Sequence, residues 1–207
     1  MHSYYASINH RILLGYFIEI IGHSWLVKNI WKILRHYEFI NREYRQVKQG
    51  ICRGSALSPI FAAVYLNKLD NHFANREDII YRRYNDDIIV LAKDYNTIII
   101  AKADTEKICR SLKLKLRPEK TEYGQISKTF TFLGFKFKAR QIITLADKTS
   151  KKAIHQLSKL ALTDGYQLHK FSEYPKHFMA WVKGVSCNYA NVIQNQLNNI
   201  LQTVNNI

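Results

Sequence analysis

Two aspartates stand side by side in the run Tyr84-Asn85-Asp86-Asp87. Adjacent carboxylates on a rigid support are oxygen ligands of the kind that a hard divalent cation takes. Asn and Asp are also what turns use for their own hydrogen bonds, so the run alone specifies only a polar tip. Upstream, Gln49-Gly50-Ile51-Cys52-Arg53-Gly54-Ser55-Ala56-Leu57-Ser58-Pro59 sets two glycines four residues apart ahead of a Ser-Pro helix start. Glycine lets backbone approach a bulky ligand closely, and a helix N-terminus offers free N–H groups. Downstream come Arg117-Pro118-Glu119-Lys120-Thr121 and then Phe132-Leu133-Gly134-Phe135. Each is weak by itself.

The background to these motifs is strongly basic. The 207 residues carry 31 Lys+Arg against 16 Asp+Glu, a formal charge of +15. Such an excess points to a polyanionic partner, because Lys and Arg displace counterions from phosphate backbones; a merely basic surface is the alternative. With 47% hydrophobic and 13% aromatic residues the chain can fill a core, which excludes intrinsic disorder. Its longest apolar runs, 60–66, 88–92 and 98–101, fall far below the ~20 residues that cross a bilayer. The start, Met1-His2-Ser3-Tyr4-Tyr5, has no basic segment leading into an apolar one, so a cytoplasmic protein with no membrane partner is expected. Cys52, Cys109 and Cys187 form no C-x-x-C pair and have no His at zinc spacing, which predicts reduced thiols.

The elements that must position these residues follow from periodicity. Ile8, Ile12, Leu13, Phe17, Ile20 and Ile21 predict a helix over 3–21 closed by Gly22, and Ser24 caps a second helix to about residue 39. Residues 41–58 lose periodicity and gain Arg42, Arg45, Lys48 and Arg53, a basic loop. Ser58-Pro59 starts a third helix to about Asn75, with Ser58 as the capping hydroxyl. Residues 79–84 and 88–93 read as a hairpin with Asn85-Asp86-Asp87 at its tip. Asn96-Thr97 caps a fourth helix to about Leu112, residues 130–138 and 141–144 alternate as a second hairpin, and helices follow from about Lys148.

In this order and at these separations the motifs resemble those of a reverse transcriptase. The resemblance covers about residues 1–145 and is nearest to bacterial mobile-element enzymes of the group II intron, retron and diversity-generating type. It implies an α+β fold: a polymerase palm over 1–146, an antiparallel sheet with helices packed on one face, then a helical thumb-like segment over 147–207. It implies RNA-directed DNA polymerisation by two-metal nucleotidyl transfer, extending a DNA primer on an RNA template with dNTPs and two Mg²⁺ ions. By resemblance Asp86 is a metal ligand, Asp87 a supporting one, and Lys120 an electrostatic stabiliser or proton donor near the departing phosphates. Tyr5, Gln49, Gly50, Arg53, Gly54 and Tyr84 fall at nucleotide- or template-binding positions. Tyr5 matches the aromatic that blocks a nucleotide 2′-hydroxyl, or is a plain core residue; Phe132, Leu133 and Gly134 match the primer grip.

The sequence also departs from the family. The metal site requires another carboxylate on the first palm strand, and Ser3-Tyr4-Tyr5-Ala6-Ser7-Ile8 aligns that aspartate one position before Met1. Glu19, Glu38, Glu43, Asp70 and Asp78 are no substitutes, lying in or beside helices or in the basic loop. Fingers and first palm strand are therefore expected to be missing, as in a C-terminal portion from an interrupted gene, a misassigned start or a split polypeptide. Such a chain should polymerise little or not at all alone, expose a sheet edge and be prone to associate. From Lys148 to Ile207, seven lysines against two acids suit a thumb on the template–primer backbone or a solvated helical bundle. His155, His169 and His177 share no metal spacing. The alternative is a nonenzymatic RNA-binding protein, or a partner subunit completing another chain such as a separately encoded N-terminal fragment.

Overall fold

The computed structural model describes residues 1–139 and 141–161, and beyond these residues 173, 176–178, 180, 195 and 202. The chain divides into two compact units, Met1–Tyr123 and Gly124–Ile207.

The first unit is mixed helix and strand. It runs α1 (Tyr4–Ser7), α2 (His10–Ile21), α3 (Trp25–Leu34), β1 (Tyr37–Ile40), β2 (Glu43–Gln46), α4 (Ser58–Tyr65), α5 (Asn67–Ala74), β3 (Ile79–Tyr84), β4 (Asp87–Ala92) and α6 (Tyr95–Ser111). Several boundaries correct the sequence reading. The expected helix over 3–21 breaks at Ile8-Asn9, because the Asn9 side chain accepts from the N–H groups of Arg11 and Ile12 and starts α2 afresh. The second helix stops at Leu34, and Tyr37–Ile40 pairs antiparallel with Glu43–Gln46, so part of the expected basic loop is a β-hairpin. The third helix is interrupted at Leu66. Ser58 lies inside α4 and does not cap it; its buried hydroxyl donates to the Cys52 carbonyl instead. The cap of α6 is Asp94, which accepts from Thr97 N–H at 2.8 Å. Gly22 and Ser24 act as expected: Gly22 ends α2 at φ +68°, and the Ser24 hydroxyl oxygen accepts from Val27 N–H.

The β3–β4 hairpin forms in the predicted place, with Tyr84 opposite Asp87 in the register. Ile79, Tyr81 and Arg83 face the helices, whereas Ile80, Arg82 and Tyr84 are exposed. On β4, Ile88, Val90 and Ala92 pack against the same core, which is built from Ile8, Leu13, Leu34, Tyr65, Leu66, Leu69 and Leu112. Burying such side chains is worth about 1.5–3 kcal/mol each and is what holds the hairpin down. Two tyrosines bring hydroxyls into this core with partners: Tyr4 donates to Ala62 O at 2.5 Å, and Tyr65 donates to Leu112 O at 2.5 Å while accepting from Asn9 N–H. Burial pushes both phenols above their ordinary value. Among the described residues β3 and β4 pair only with each other.

The second unit opens on a three-stranded antiparallel meander, β5 (Phe130–Phe132), β6 (Phe135–Lys138) and β7 (Gln141–Leu145), where the sequence had suggested one hairpin. The extra turn is Leu133-Gly134, both at positive φ. Phe135 and Leu145 form its small core with Phe137, Ile142 and Phe178. Helix α7 (Asp147–Ala161) follows, and most of the stretch in which further helices are expected, with His169 and Cys187, lies outside the described residues. No described helix is long and apolar enough to cross a membrane. Cys52 and Cys109 are free thiols.

Candidate active site

The turn between β3 and β4 is Asn85-Asp86, with Asn85 in the left-handed region at φ +52°. Asn tolerates that conformation, which is why a two-residue connection can close here. Arg83, two residues before Asn85 on the inner face of β3, donates from Nη1 to the Asn85 carbonyl at 2.9 Å and from Nε to Asp70 Oδ1 at 2.8 Å. Its Nη2 completes a bidentate pair with Asp70 Oδ2. Tyr81 donates to the same Asp70 at 2.8 Å, and its ring stacks on Phe73. The tip is thus tied to α5 by one carboxylate.

Asp86 lines a pocket of about 400 Å³ together with Met1, Ser3, Tyr4, Tyr5, Arg53, Arg117 and Lys120. Four residues singled out in the sequence, Tyr5, Arg53, Asp86 and Lys120, therefore meet around one space. The Met1 α-amino nitrogen stands 3.8 Å from Asp86 Oδ2. Asp87 begins β4 outside the pocket lining, and partial burial, then repulsion from Asp86, raises its carboxyl above the ordinary value, while the Met1 amino group and Lys120 oppose that. Lys120 sits on a 3-10 turn, Pro118–Lys120. Arg117 precedes that turn, and its Nε is buried with no hydrogen-bond partner.

The glycine-rich loop is fastened to the end of α1. Gly50 N–H donates to Ile8 O at 2.8 Å, Ile51 N–H to Tyr5 O at 2.9 Å, and Gln49 Nε2 to Ser7 O at 3.0 Å. Gly50 has φ +92°, and a Cβ there would meet Ala6 Cα at 3.0 Å, so the residue is glycine for both conformation and space. His10, buried on α2, donates from Nε2 to Gly50 O at 2.6 Å. Burial lowers its pKa, the hydrogen bond to Gly50 O opposes that, and His36 and Arg35 act in the same sense as burial. Gly54 at φ +86° has open space around it.

Other expected site residues are not among those that line the pocket. Gln49 spends its amide on Ser7, and Tyr84 is 62% exposed at the end of β3. Phe132, Leu133 and Gly134 belong to the second unit, where Leu133-Gly134 is the β5–β6 turn and Gly134 O accepts from Ala146 N–H at 2.9 Å. Sequence reasoning missed Arg117, His10 and the Asp70–Arg83 brace. For Arg117 the signal was its position three residues before Lys120; for His10 nothing local distinguished it from a surface histidine. Among the described residues no group of three or more His, Cys, Asp or Glu side chains gathers as a metal site.

The family model described as "Reverse transcriptase (RNA-dependent DNA polymerase)" matches residues 1–137, and the chain belongs to that family. A curated relative, Protein YkfC of Escherichia coli (strain K12), is 24% identical over 174 residues, which covers 65% of this chain and 44% of that protein. The chain thus spans under half the length of the curated relative it matches.

Proposed function

We propose that the pocket is the nucleotide site of an RNA-directed DNA polymerase of bacterial retroelement type, in which a primer 3′-hydroxyl attacks the α-phosphorus of a dNTP and pyrophosphate leaves. The observation that carries this is the polarity of the pocket: the Asp86 carboxylate shares it with three cations, Arg53, Arg117 and Lys120. A metal-bound triphosphate has the complementary polarity.

The donor set suits Mg²⁺ in part. That ion is commonly held by one or two carboxylates, with water and substrate phosphates filling its other positions, and Asp86 with Asp87 provides that much. Two ions in the family arrangement call for a further carboxylate, which the described residues do not gather. When bound, the ions would activate the 3′-hydroxyl and neutralise the triphosphate. Arg53, Arg117 and Lys120 would hold the phosphate oxygens and stabilise the charge on the departing pyrophosphate, and the unpartnered Arg117 Nε would gain its acceptor there. Tyr5, half-buried at the pocket wall, would bound the sugar. Gly50, Gly54, Gln49 and Tyr84 would border template and nucleotide, and the Phe132 to Gly134 turn would grip the primer. A palm over 1–146 with a thumb-like segment over 147–207 belongs to the same reading.

With only two carboxylates in place, little or no primer extension is expected of this chain alone. A residue joined to Met1 would emerge beside Asp86, and an aspartate added there would bring a further carboxylate to the pocket. The test is titration of a dNTP with Mg²⁺ into the purified chain. Binding that weakens in Arg117→Ala and Lys120→Ala, and that loses its Mg²⁺ dependence in Asp86→Asn, supports the reading. Nucleotide-independent RNA binding with no dNTP affinity would favour the nonenzymatic RNA-binding or partner-subunit alternative.

A further inference from the structure

The hairpin β1–β2 carries aromatic side chains that no core claims. Tyr37, Phe39 and Tyr44 are 62%, 63% and 76% exposed. The register pairs Phe39 with Tyr44 and Tyr37 with Gln46, so these four residues share one face of the ribbon. The Phe39 and Tyr44 rings lie 5.0 Å apart and tilted by 49°, leaving ring surface open to solvent. Glu38 and Glu43 fall on the opposite face, where Glu43 is paired with Arg45 at 3.0 Å.

Both ends of the aromatic face are basic. At its foot Arg35 lies over the Trp31 ring, 5.3 Å from the centroid, and donates to Gln46 Oε1 at 2.6 Å. At its tip Arg42 is exposed at φ +66°, the second residue of a turn that ordinarily takes glycine. Keeping a long cation in that strained position puts a positive charge at the end of the ribbon.

We infer that this hairpin is a stacking platform for single-stranded RNA, separate from the nucleotide pocket. Unpaired bases stack on exposed aromatic rings whatever their sequence, and flanking arginines follow the phosphates. A face free of carboxylates, bounded by Arg35 and Arg42 in a chain of charge +15, complements a polyanion better than it complements an apolar or basic protein surface. The choice of RNA as the strand rests on the polymerase reading above.

The experiment compares two ligands by fluorescence anisotropy: a labelled 12-nucleotide single-stranded RNA and a blunt RNA–DNA hybrid of the same length. Phe39→Ala and Tyr44→Ala are expected to weaken single-stranded RNA about tenfold. Both should leave the hybrid unchanged, and Tyr44→Phe, which keeps the ring, should bind as the parent does. Arg42→Ala should weaken the RNA and flatten its salt dependence. Equal affinity of the parent and the alanine variants for single-stranded RNA overturns the platform while leaving the pocket reading intact. The same holds if the alanine variants change only the oligomeric state, which would assign the face to a second copy of the chain. A parent chain that binds neither ligand overturns both.

Discussion

Arg83 on β3 and Asp70 on α5 form a two-point ion pair, and the same guanidinium also donates to the Asn85 carbonyl, one residue before Asp86. The side chains are 11% and 33% exposed, so the pair is largely withdrawn from water. The carboxylate-bearing turn therefore depends for its position on an acid that itself stays out of the pocket lining.

Removing that acid leaves a mostly buried guanidinium without its charged partner, with only backbone carbonyls to accept from it. Asp70→Ala is expected to cost about 2 kcal/mol of stability, and Asp70→Asn less because one acceptor remains. Urea unfolding of the purified variants measures both. A neutral Asp70→Ala would mean that Arg83 finds an equivalent partner and that the brace does not hold the tip.

Gly50 and Gly54 separate two reasons for glycine. Both have positive φ, but only at Gly50 would a Cβ press on the backbone of Ala6. Gly54→Ala should cost about 1 kcal/mol, from conformation alone, and Gly50→Ala distinctly more. Thermal melts of the two variants rank them; equal losses would show that the loop moves freely away from α1.

His10 predicts a pH dependence. Its pKa is lowered in the folded chain, first by burial, so the native state binds fewer protons than the unfolded state across the interval below the ordinary histidine value. Stability contributed by the neutral ring is present above the unfolded pKa and is lost as pH falls toward the folded one. His10→Gln, which can still donate to Gly50 O, should flatten that part of the profile. Denaturation midpoints from pH 7.5 down to pH 5, taken in both proteins, give the comparison, and parallel profiles would contradict the assignment.

What was legible in the sequence follows from local signals. The β3–β4 hairpin could be read because its inner face alternates into the core while its tip is all polar. The β1–β2 hairpin could not: β2 is largely exposed, so burial imposes no alternation, and its turn, Asn41-Arg42, lacks the glycine that marks such connections. The break at Asn9 was hidden because apolar spacing continues across it, and the one at Leu66 because no Gly or Pro stands there. Tyr5, Arg53, Asp86 and Lys120 were all found as motif members, and the structure places them around one pocket. Arg117 was passed over because its character lies in a buried, unpartnered nitrogen, which sequence does not display.

RNA-templated primer extension with dNTPs and Mg²⁺ shows whether Asp86 belongs to a polymerase metal site. Three proteins are compared: the 207-residue chain, the same chain with Met-Asp joined ahead of Met1, and that extended chain carrying Asp86→Asn. Little or no extension is expected of the first, a clear gain of the second and loss of that gain in the third. Extension that survives Asp86→Asn undiminished would contradict a place for Asp86 in that site.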